Sequence, residues 1–204
     1  MPSRPSFTNI EKRAMQEASI RGYAAWDRNP DLATLKEKIK SFSLIKTGSR
    51  CCYCGRNIYG EFGMVIDIEH ILPKAIYPKY MFRGGNLSAS CKRCNMNIKK
   101  SKTDFFIGIG TKKAGKFFRS SYYKFIHPNL DNYDAHLLLI SSQVGRKVML
   151  KYMVVNESNK GSYTYAYFKL DRLEKNSFDT VQGGRGRSEI ENPDLQEAFD
   201  AIAP

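Results

Sequence analysis

Apolar residues recur at helical spacing in two segments near the start of the chain. The stretch "TNIE" at 8–11 has the Thr-x-x-Glu form of a capping box, and a moderately apolar face follows it to about Trp26. A second helix is predicted after Asn29 as its cap and Pro30 in its first turn. Its apolar stripe consists of Leu32, Leu35, Ile39 and Phe42. We expect both faces to form core, and we assign no chemistry to them.

Other patterns predict the elements of the C-terminal half. "KVMLKYMVV" at 147–155 and "SYTYAYF" at 162–168 are typical of two strands, and the polar turn "NESNKG" between them predicts a hairpin. The glycine-rich stretch 181–189 predicts a connector whose two arginines could also contact phosphate; a plain linker is favoured. "NPDLQEAFDAI" at 192–202 repeats the Asn-Pro opening and predicts a terminal helix.

Composition places the chain among folded globular proteins. Its 204 residues are 42% hydrophobic and 12% aromatic, which is enough apolar material for one good core. No apolar run approaches the roughly 18 residues that a membrane span needs, so we expect no membrane association. The first residues lack the apolar core of a signal peptide, which favours a cytoplasmic location. In that compartment the five cysteines are expected to bind metal or to be buried rather than to form disulfides.

The positive charge is concentrated in one part of the sequence. Residues 71–130 contain 13 lysines and arginines but a single acid, which accounts for +12 of the net charge of +13. A field of this density favours a polyanionic partner, and nucleic acid is the usual one. The alternative is a solvated basic face that serves only solubility.

Four cysteines form two pairs with metal-ligand spacing. Cys51-x-x-Cys54 and Cys91-x-x-Cys94 are separated by 36 residues. Four thiolates suit tetrahedral zinc, and four protein ligands leave no open position for a substrate. The predicted zinc is therefore structural and holds together the ends of the 51–94 loop. Cys52 falls outside this spacing and is interpreted as a spare.

The loop closed by the cysteines contains "IDIEHILPK" at 66–74 and then Asn86, and Asn95 directly follows the last cysteine. Taken together, "CYCG … IEHILPK … NLSASCKRCN" resembles the HNH endonuclease superfamily in its zinc-stapled form, which has a ββα-metal core. The resemblance covers about residues 50–105. The downstream "FIHPNLDNYDAH" and the basic "KRCN" are similar to HNH nucleases that act beside ATPases in bacterial antiphage defence.

The resemblance implies a role for each polar residue of the motif. His70 would be the general base that takes a proton from the attacking water, a role that suits imidazole because its ordinary pKa lies near neutrality. Glu69 occupies the position of the metal-binding acid, and Asn95 would be the second ligand of a catalytic Mg²⁺ or Mn²⁺. Asn86 would bond across the loop and fix the histidine. Basic residues expected to contact nucleic-acid phosphates are Lys74, Lys92, Arg93, Lys99, Lys100 and Lys102.

Several features leave alternatives open at the metal site. Glu69 and His70 would point to opposite faces of a regular strand, so both reach one phosphate only if the chain bends. Asp67 shares a face with Glu69 and is a second candidate carboxylate. Asn97 replaces Asn95 as the ligand if the helix is shifted. The lysine of the family often stands at the position of Ile98, one residue before Lys99.

Histidines and aromatic residues outside the motif are interpreted as structural. His127 and His136 lie outside the HNH motif at 50–105, and we expect neither to be catalytic. The aromatic pairs at 105–106, 117–118 and 122–123 could stack on bases, but aromatic core is favoured for them.

These observations predict a single α+β protein. A zinc-stapled ββα nuclease core at 50–105 is flanked by an N-terminal helical region at 1–49 and by a basic extension at 106–204 with a hairpin and a terminal helix. The predicted activity is metal-dependent hydrolysis of nucleic-acid phosphodiesters, with DNA favoured over RNA. The alternative is a non-catalytic zinc-containing module that binds nucleic acid. A third possibility is a defence effector that stays silent until an ATPase partner releases it.

Overall fold

Three helices form the N-terminal part of the chain. The computed structural model describes residues 5–107 and 117–176. Its first helices are α1 (Asn9–Arg21), α2 (Ala24–Arg28) and α3 (Ala33–Lys46).

The predicted start signals of these helices are confirmed. Thr8 accepts a hydrogen bond from the Glu11 backbone N–H, and the Glu11 carboxylate accepts one from the Thr8 N–H. The Asn29 side chain caps a short 3₁₀ turn that leads into α3. The first helix does not continue to Trp26 as predicted. Gly22 adopts a positive φ of 85°, which ends α1, and the chain restarts as α2.

A small antiparallel sheet and a helical segment carry the region of resemblance. Strands β1 (Ile66–His70) and β2 (Leu87–Cys91) pair so that Ile66 lies opposite Cys91 and His70 lies opposite Leu87. A π-helix, Arg93–Lys99, follows, and its wider winding ends with the Lys100 N–H bonded to the Asn95 carbonyl. The described region therefore has the order strand, strand, helix.

The C-terminal sheet differs from its prediction. Strand β3 (Leu137–Val144) pairs with β4 (Lys147–Val154), and β4 pairs with the short β5 (Lys175–Asn176). The predicted strand at 162–168 is wrong, because this segment belongs to the helix α4 (Asn159–Tyr167).

Two contacts explain why this segment is helical despite its alternating tyrosines. The Ser158 hydroxyl accepts a hydrogen bond from the Gly161 N–H and so caps the helix. Gly161 also packs against the chain just before β3, where an added Cβ would lie 2.2 Å from the His136 carbonyl oxygen. The helix can approach this closely only because residue 161 is glycine. The hairpin partner of β4 is instead β3, a strand that no sequence pattern predicted.

Two apolar clusters form the core of the described residues. The larger one combines the cysteine frame with an aromatic group around Phe105, Tyr123 and Phe125, which confirms that the aromatic residues at 105–106 and 123 are core. The smaller one joins the helices to the sheet. Its members include Trp26, Leu32, Leu35, Ile39, Met81 and Leu87.

Two predicted elements, the connector at 181–189 and the terminal helix at 192–202, lie outside the described residues. Within the described ranges, no helix has both the length and the apolar character that crossing a bilayer requires. The described architecture is mixed α+β with two small sheets.

Candidate functional site

Four buried cysteine side chains converge on one point. The sulfurs of Cys51, Cys54, Cys91 and Cys94 all lie within 4.8 Å of one another, and Cys54 Sγ is 3.9 Å from Cys91 Sγ. Zinc bound tetrahedrally at about 2.3 Å from each sulfur would place the sulfurs about 3.8 Å apart. The geometry fits, and this group could hold a structural metal such as zinc.

The local backbone aims these sulfurs inward. The Cys91 N–H donates to Cys51 Sγ at 3.3 Å, and the Gly55 N–H closes the first turn on the Cys51 carbonyl. Gly55 has a positive φ of 65°, a conformation that glycine adopts without strain. Cys52 lies outside the cluster. It is buried, which raises the pKa of its thiol. Its backbone N–H donates to the Ala89 carbonyl on β2.

His70 lies at the end of β1 with its ring packed against Trp26. The two ring centroids are 4.5 Å apart in an edge arrangement, and His70 Nε2 is 3.1 Å from the Met81 carbonyl oxygen. Because a carbonyl only accepts hydrogen bonds, Nε2 must carry the proton and Nδ1 must hold a lone pair. Nδ1 makes no hydrogen bond with any residue in the described ranges. Burial, assisted by the charge of Lys74, lowers the pKa of His70 to about 3, so the imidazole is neutral at pH 7.

A cavity of about 750 Å³ opens beside this histidine. The sheet and the π-helix form one wall of it, through Asp67, His70 and Asn95. The Asn95 side-chain amide donates to Asp67 Oδ2 at 3.1 Å, so these two side chains are held together. Four of the six basic residues predicted to contact phosphate also line the cavity, namely Lys74, Lys92, Lys99 and Lys100.

Glu69 is completely buried and does not line this cavity. Its Oε1 accepts hydrogen bonds from Lys99 Nζ at 2.7 Å and from the Tyr53 hydroxyl at 2.9 Å. Its Oε2 has no hydrogen-bond partner among the described residues. Burial raises the pKa of Glu69, whereas Lys99 and Tyr53 oppose this shift. The structure therefore joins Asn95 to Asp67 by a hydrogen bond, whereas Glu69, the acid that the resemblance designates, is paired with Lys99 and Tyr53.

Asn86 braces the loop that leaves β1. Its Oδ1 accepts from the Leu72 N–H at 2.7 Å, and its Nδ2 donates to the carbonyls of Leu72 and Tyr80 at 3.0 and 3.1 Å. The same loop contains Met81, whose carbonyl holds the His70 ring. Asn86 thus supports the loop on which the orientation of His70 depends, an arrangement consistent with the implied positioning role.

Lys99 is the best-anchored of the predicted phosphate contacts. Its side chain is buried, and its ammonium group donates to the His70 carbonyl at 2.9 Å in addition to pairing with Glu69. Arg93 and Lys102 are not part of the cavity wall. Arg93 donates to the Lys169 carbonyl at 2.7 Å, and Lys102 lies over the Tyr167 ring.

The remaining candidates lie away from the cavity. Asn97 is exposed on the π-helix and does not line it. His127 is buried, and its Nδ1 accepts a hydrogen bond from the Asn129 N–H. His136 Nδ1 is 2.7 Å from the hydroxyl of Ser158, the residue that caps α4. Both histidines thus make structural contacts outside the HNH motif at 50–105.

Residues of the N-terminal helices also line the cavity, although their sequence pattern indicated only core. They form its second wall, through Tyr23 and Trp26 around α2 and through Lys36 and Lys40 on α3. The i, i+4 spacing of the two lysines was visible in the sequence as a shared helix face. That this face meets the sheet could be learned only from tertiary packing.

Two curated proteins are similar to part of the chain. "Septu protein PtuB" of Bacillus thuringiensis is 34% identical over 95 residues, which is 46% of this chain and 34% of that protein. "Protein ea31" of Escherichia phage lambda is 29% identical over 94 residues, or 46% of this chain and 27% of that protein. The chain therefore spans about a third or less of the length of these relatives. No protein-family model and no solved structure matches it.

Proposed function

We propose that this protein is an HNH-type endonuclease that hydrolyses nucleic-acid phosphodiesters, DNA in preference to RNA, with a divalent metal. One observation carries the proposal. His70 presents a neutral imidazole at a lysine-lined cavity, with Nε2 tied to the Met81 carbonyl and Nδ1 without a partner among the described residues. This is the protonation state that a general base requires.

Different residues of the cavity have different roles in the proposed hydrolysis. His70 Nδ1 accepts the proton of the attacking water, while the Met81 carbonyl keeps the ring in the required tautomer. The low pKa of the free protein does not oppose this role, because a bound phosphodiester adds negative charge beside the ring and favours the imidazolium. Lys74 and Lys92 lie on the same cavity and contribute positive charge for the phosphate.

The catalytic cation has two candidate carboxylates in this chain. The resemblance designates Glu69, which is paired with Lys99 beneath the cavity. Asp67 lines the cavity beside Asn95, and a carboxylate together with an amide oxygen is a donor set that suits Mg²⁺ or Mn²⁺. When bound, such a cation would neutralise charge that develops on the phosphate. Asp67 is the carboxylate that the placement favours.

Metal-dependent cleavage is the direct test of this function. The purified chain is incubated with supercoiled plasmid and Mg²⁺ or Mn²⁺, with and without EDTA. Nicking that requires the metal and stops with EDTA supports the nuclease. Absence of nicking under every metal condition, both for the isolated chain and with the ATPase partner proposed below added, would overturn it when binding is tight.

A non-catalytic zinc-containing module that binds nucleic acid is the second candidate. It is favoured by the burial of Glu69, which removes the expected metal ligand from the cavity. Such a module would bind nucleic acid with a steep salt dependence and would not cleave it. The plasmid assay separates the two candidates when binding is measured in parallel by fluorescence anisotropy.

We further propose that the activity serves antiphage defence in bacteria, together with an ATPase partner. Two facts support this: the resemblance of "FIHPNLDNYDAH" and "KRCN" to nucleases of such systems, and the 34% identity with "Septu protein PtuB". The isolated chain would be expected to show no nuclease activity if the partner is needed to release it. The plasmid assay is therefore repeated with the product of any neighbouring ATPase gene added.

A further inference from the structure

Tyr23 presents an accessible aromatic ring to the cavity. It is 51% exposed, immediately precedes α2 and lines the cavity on the side of the helices. Its ring takes part in no aromatic pair within the described residues, unlike the many rings packed into the core. An exposed aromatic face at the rim of a basic cavity is the kind of surface on which an unpaired base stacks.

Positive charge lines the same wall of the cavity. Lys36 and Lys40 lie one helical turn apart on α3, and both line the cavity. Lys36 Nζ is 5.8 Å from the centre of the Trp26 ring, and Lys40 Nζ donates to the Gly63 carbonyl.

The charge balance of the whole lining is positive. Six lysines line the cavity against three acids, which are Asp27, Glu37 and Asp67. Two of these acids are already paired with lysines. Asp27 accepts from Lys74 at 2.9 Å, and Asp67 lies 3.4 Å from Lys92. Lys99 is likewise paired, with the buried Glu69. The three lysines of the lining without a carboxylate partner among the described residues are Lys36, Lys40 and Lys100, and their charge is available to the phosphates of a strand.

Trp26 connects the helical wall to the proposed general base. It packs edge-on against His70 and lies beneath Lys36, so the helices and the sheet meet at one ring. A strand that contacts the helical wall therefore continues directly to His70. The volume of about 750 Å³ lies within the range of roughly 300–1,000 Å³ for sites that enclose small ligands.

We propose that Tyr23, Lys36 and Lys40 form a subsite for an unpaired nucleotide next to the scissile phosphate, so that the substrate is single-stranded or locally unpaired DNA. This deepens the proposed function and rests on it. In an intact duplex each base stacks on its neighbours and leaves no free face for Tyr23, whereas an unpaired base can turn into the cavity. The lysines then hold the backbone of that nucleotide without reading its sequence.

Binding measured without cleavage tests this subsite. The full-length His70→Ala protein is titrated against a fluorescein-labelled single-stranded DNA oligonucleotide and against the same sequence as a duplex, in EDTA. Adding Tyr23→Ala should weaken single-strand binding between about fivefold and a hundredfold, the loss expected for one base stack, and should change duplex binding by less than about twofold. Adding Tyr23→Phe should preserve single-strand binding because the ring is kept.

Matched variants control for exposure and charge. Tyr59 is 80% exposed and does not line the cavity, so Tyr59→Ala should leave single-strand binding unchanged. Lys36→Ala should weaken binding and reduce the slope of log affinity against log salt by about one unit, whereas Lys12→Ala on the exposed surface of α1 should do neither. Zinc content and the melting temperature verify that each variant is folded.

The proposed subsite is contradicted if the folded Tyr23→Ala variant binds the single strand as tightly as the Tyr59→Ala control. It is also contradicted if the Tyr23→Ala variant loses duplex binding and single-strand binding equally. These outcomes do not depend on hydrolysis. A wild-type chain that binds in this manner but never cleaves, either alone or with an ATPase partner added, would overturn the nuclease and leave the subsite intact.

Discussion

Lys99 Nζ lies 2.7 Å from Glu69 Oε1, and both side chains are buried beneath the end of β1. The same ammonium group donates to the His70 carbonyl, so the pair fixes the backbone of the residue proposed as the general base. Replacing both charges of such a buried ion pair together changes the free energy of unfolding little. Removing only one of the two charges is strongly destabilising, because the other charge then stays buried without a partner.

Removing Lys99 is therefore expected to be more harmful than removing both partners. Lys99→Met leaves a buried carboxylate without its charge partner and should lower the free energy of unfolding by about 3–5 kcal/mol. Lys99→Met combined with Glu69→Gln should recover part of that loss, because no uncompensated charge remains. Urea denaturation measures both variants, and Lys100→Met, which alters an exposed neighbour, serves as the control. A single variant as stable as this control would contradict a structural role for the pair.

The two candidate carboxylates should respond differently to neutralisation. Asp67→Asn removes charge from the cavity and should raise the Mg²⁺ concentration for half-maximal nicking by at least about tenfold. Glu69→Gln should act mainly on stability and leave the Mg²⁺ requirement close to that of the wild type. Initial nicking rates over a Mg²⁺ titration give this comparison, with melting temperatures recorded alongside. The reverse pattern would identify Glu69 as the ligand, as the resemblance implies.

Loss of one cysteine from the cluster should remove the metal and the fold of the region. Structural zinc contributes about 10–16 kcal/mol in small zinc domains, which is comparable to the whole stability of a typical domain. Cys54→Ser should therefore abolish stoichiometric zinc and cooperative unfolding, as measured by elemental analysis and circular dichroism. Cys52→Ala, at a buried cysteine outside the cluster, should retain zinc. Equal zinc content in the two variants would be inconsistent with the proposed site.

Acid should destabilise the protein partly through His127. Burial lowers the pKa of His127 to about 3, below the ordinary value near 6.5, so the unfolded chain binds a proton that the folded chain rejects between these values. This histidine's contribution is fully present above about pH 6.5 and falls by up to about 1.4 kcal/mol per pH unit as the pH drops towards 3. His127→Asn should flatten the dependence of unfolding free energy on pH by up to one proton. An unchanged slope in this variant would show that His127 does not titrate on unfolding.

The sequence predicted those features that local chemistry determines. The capping box of Thr8 and Glu11 and the cap at Asn29 follow from side chains that bond to their own backbone, and they appear as predicted. The cysteine spacing predicted a cluster because two short turns can each supply two sulfurs. The alternation of tyrosines in 162–168 was misleading, since the Ser158 cap and the close packing of Gly161 favour a helix there.

The parts of the site that depend on tertiary packing could not be predicted. No local pattern distinguishes Asp67 from Glu69, which lie on the same strand, yet the first lines the cavity and the second pairs with a buried lysine. Tyr23 and Lys36 belong to helices that looked like plain core elements. Their approach to the sheet depends on contacts with Met81 and on other packing far along the chain.

The central claim is that His70 is the general base, and plasmid nicking by its variants tests it most directly. His70→Ala and the more conservative His70→Asn should each reduce the initial nicking rate with Mg²⁺ by at least about a hundredfold, the usual contribution of a general base. Zinc content and melting temperature should show that at least one of them is folded. His136→Ala, at a histidine outside the cavity, should nick at the wild-type rate. A folded His70 variant that nicks plasmid as fast as the wild type would contradict the account.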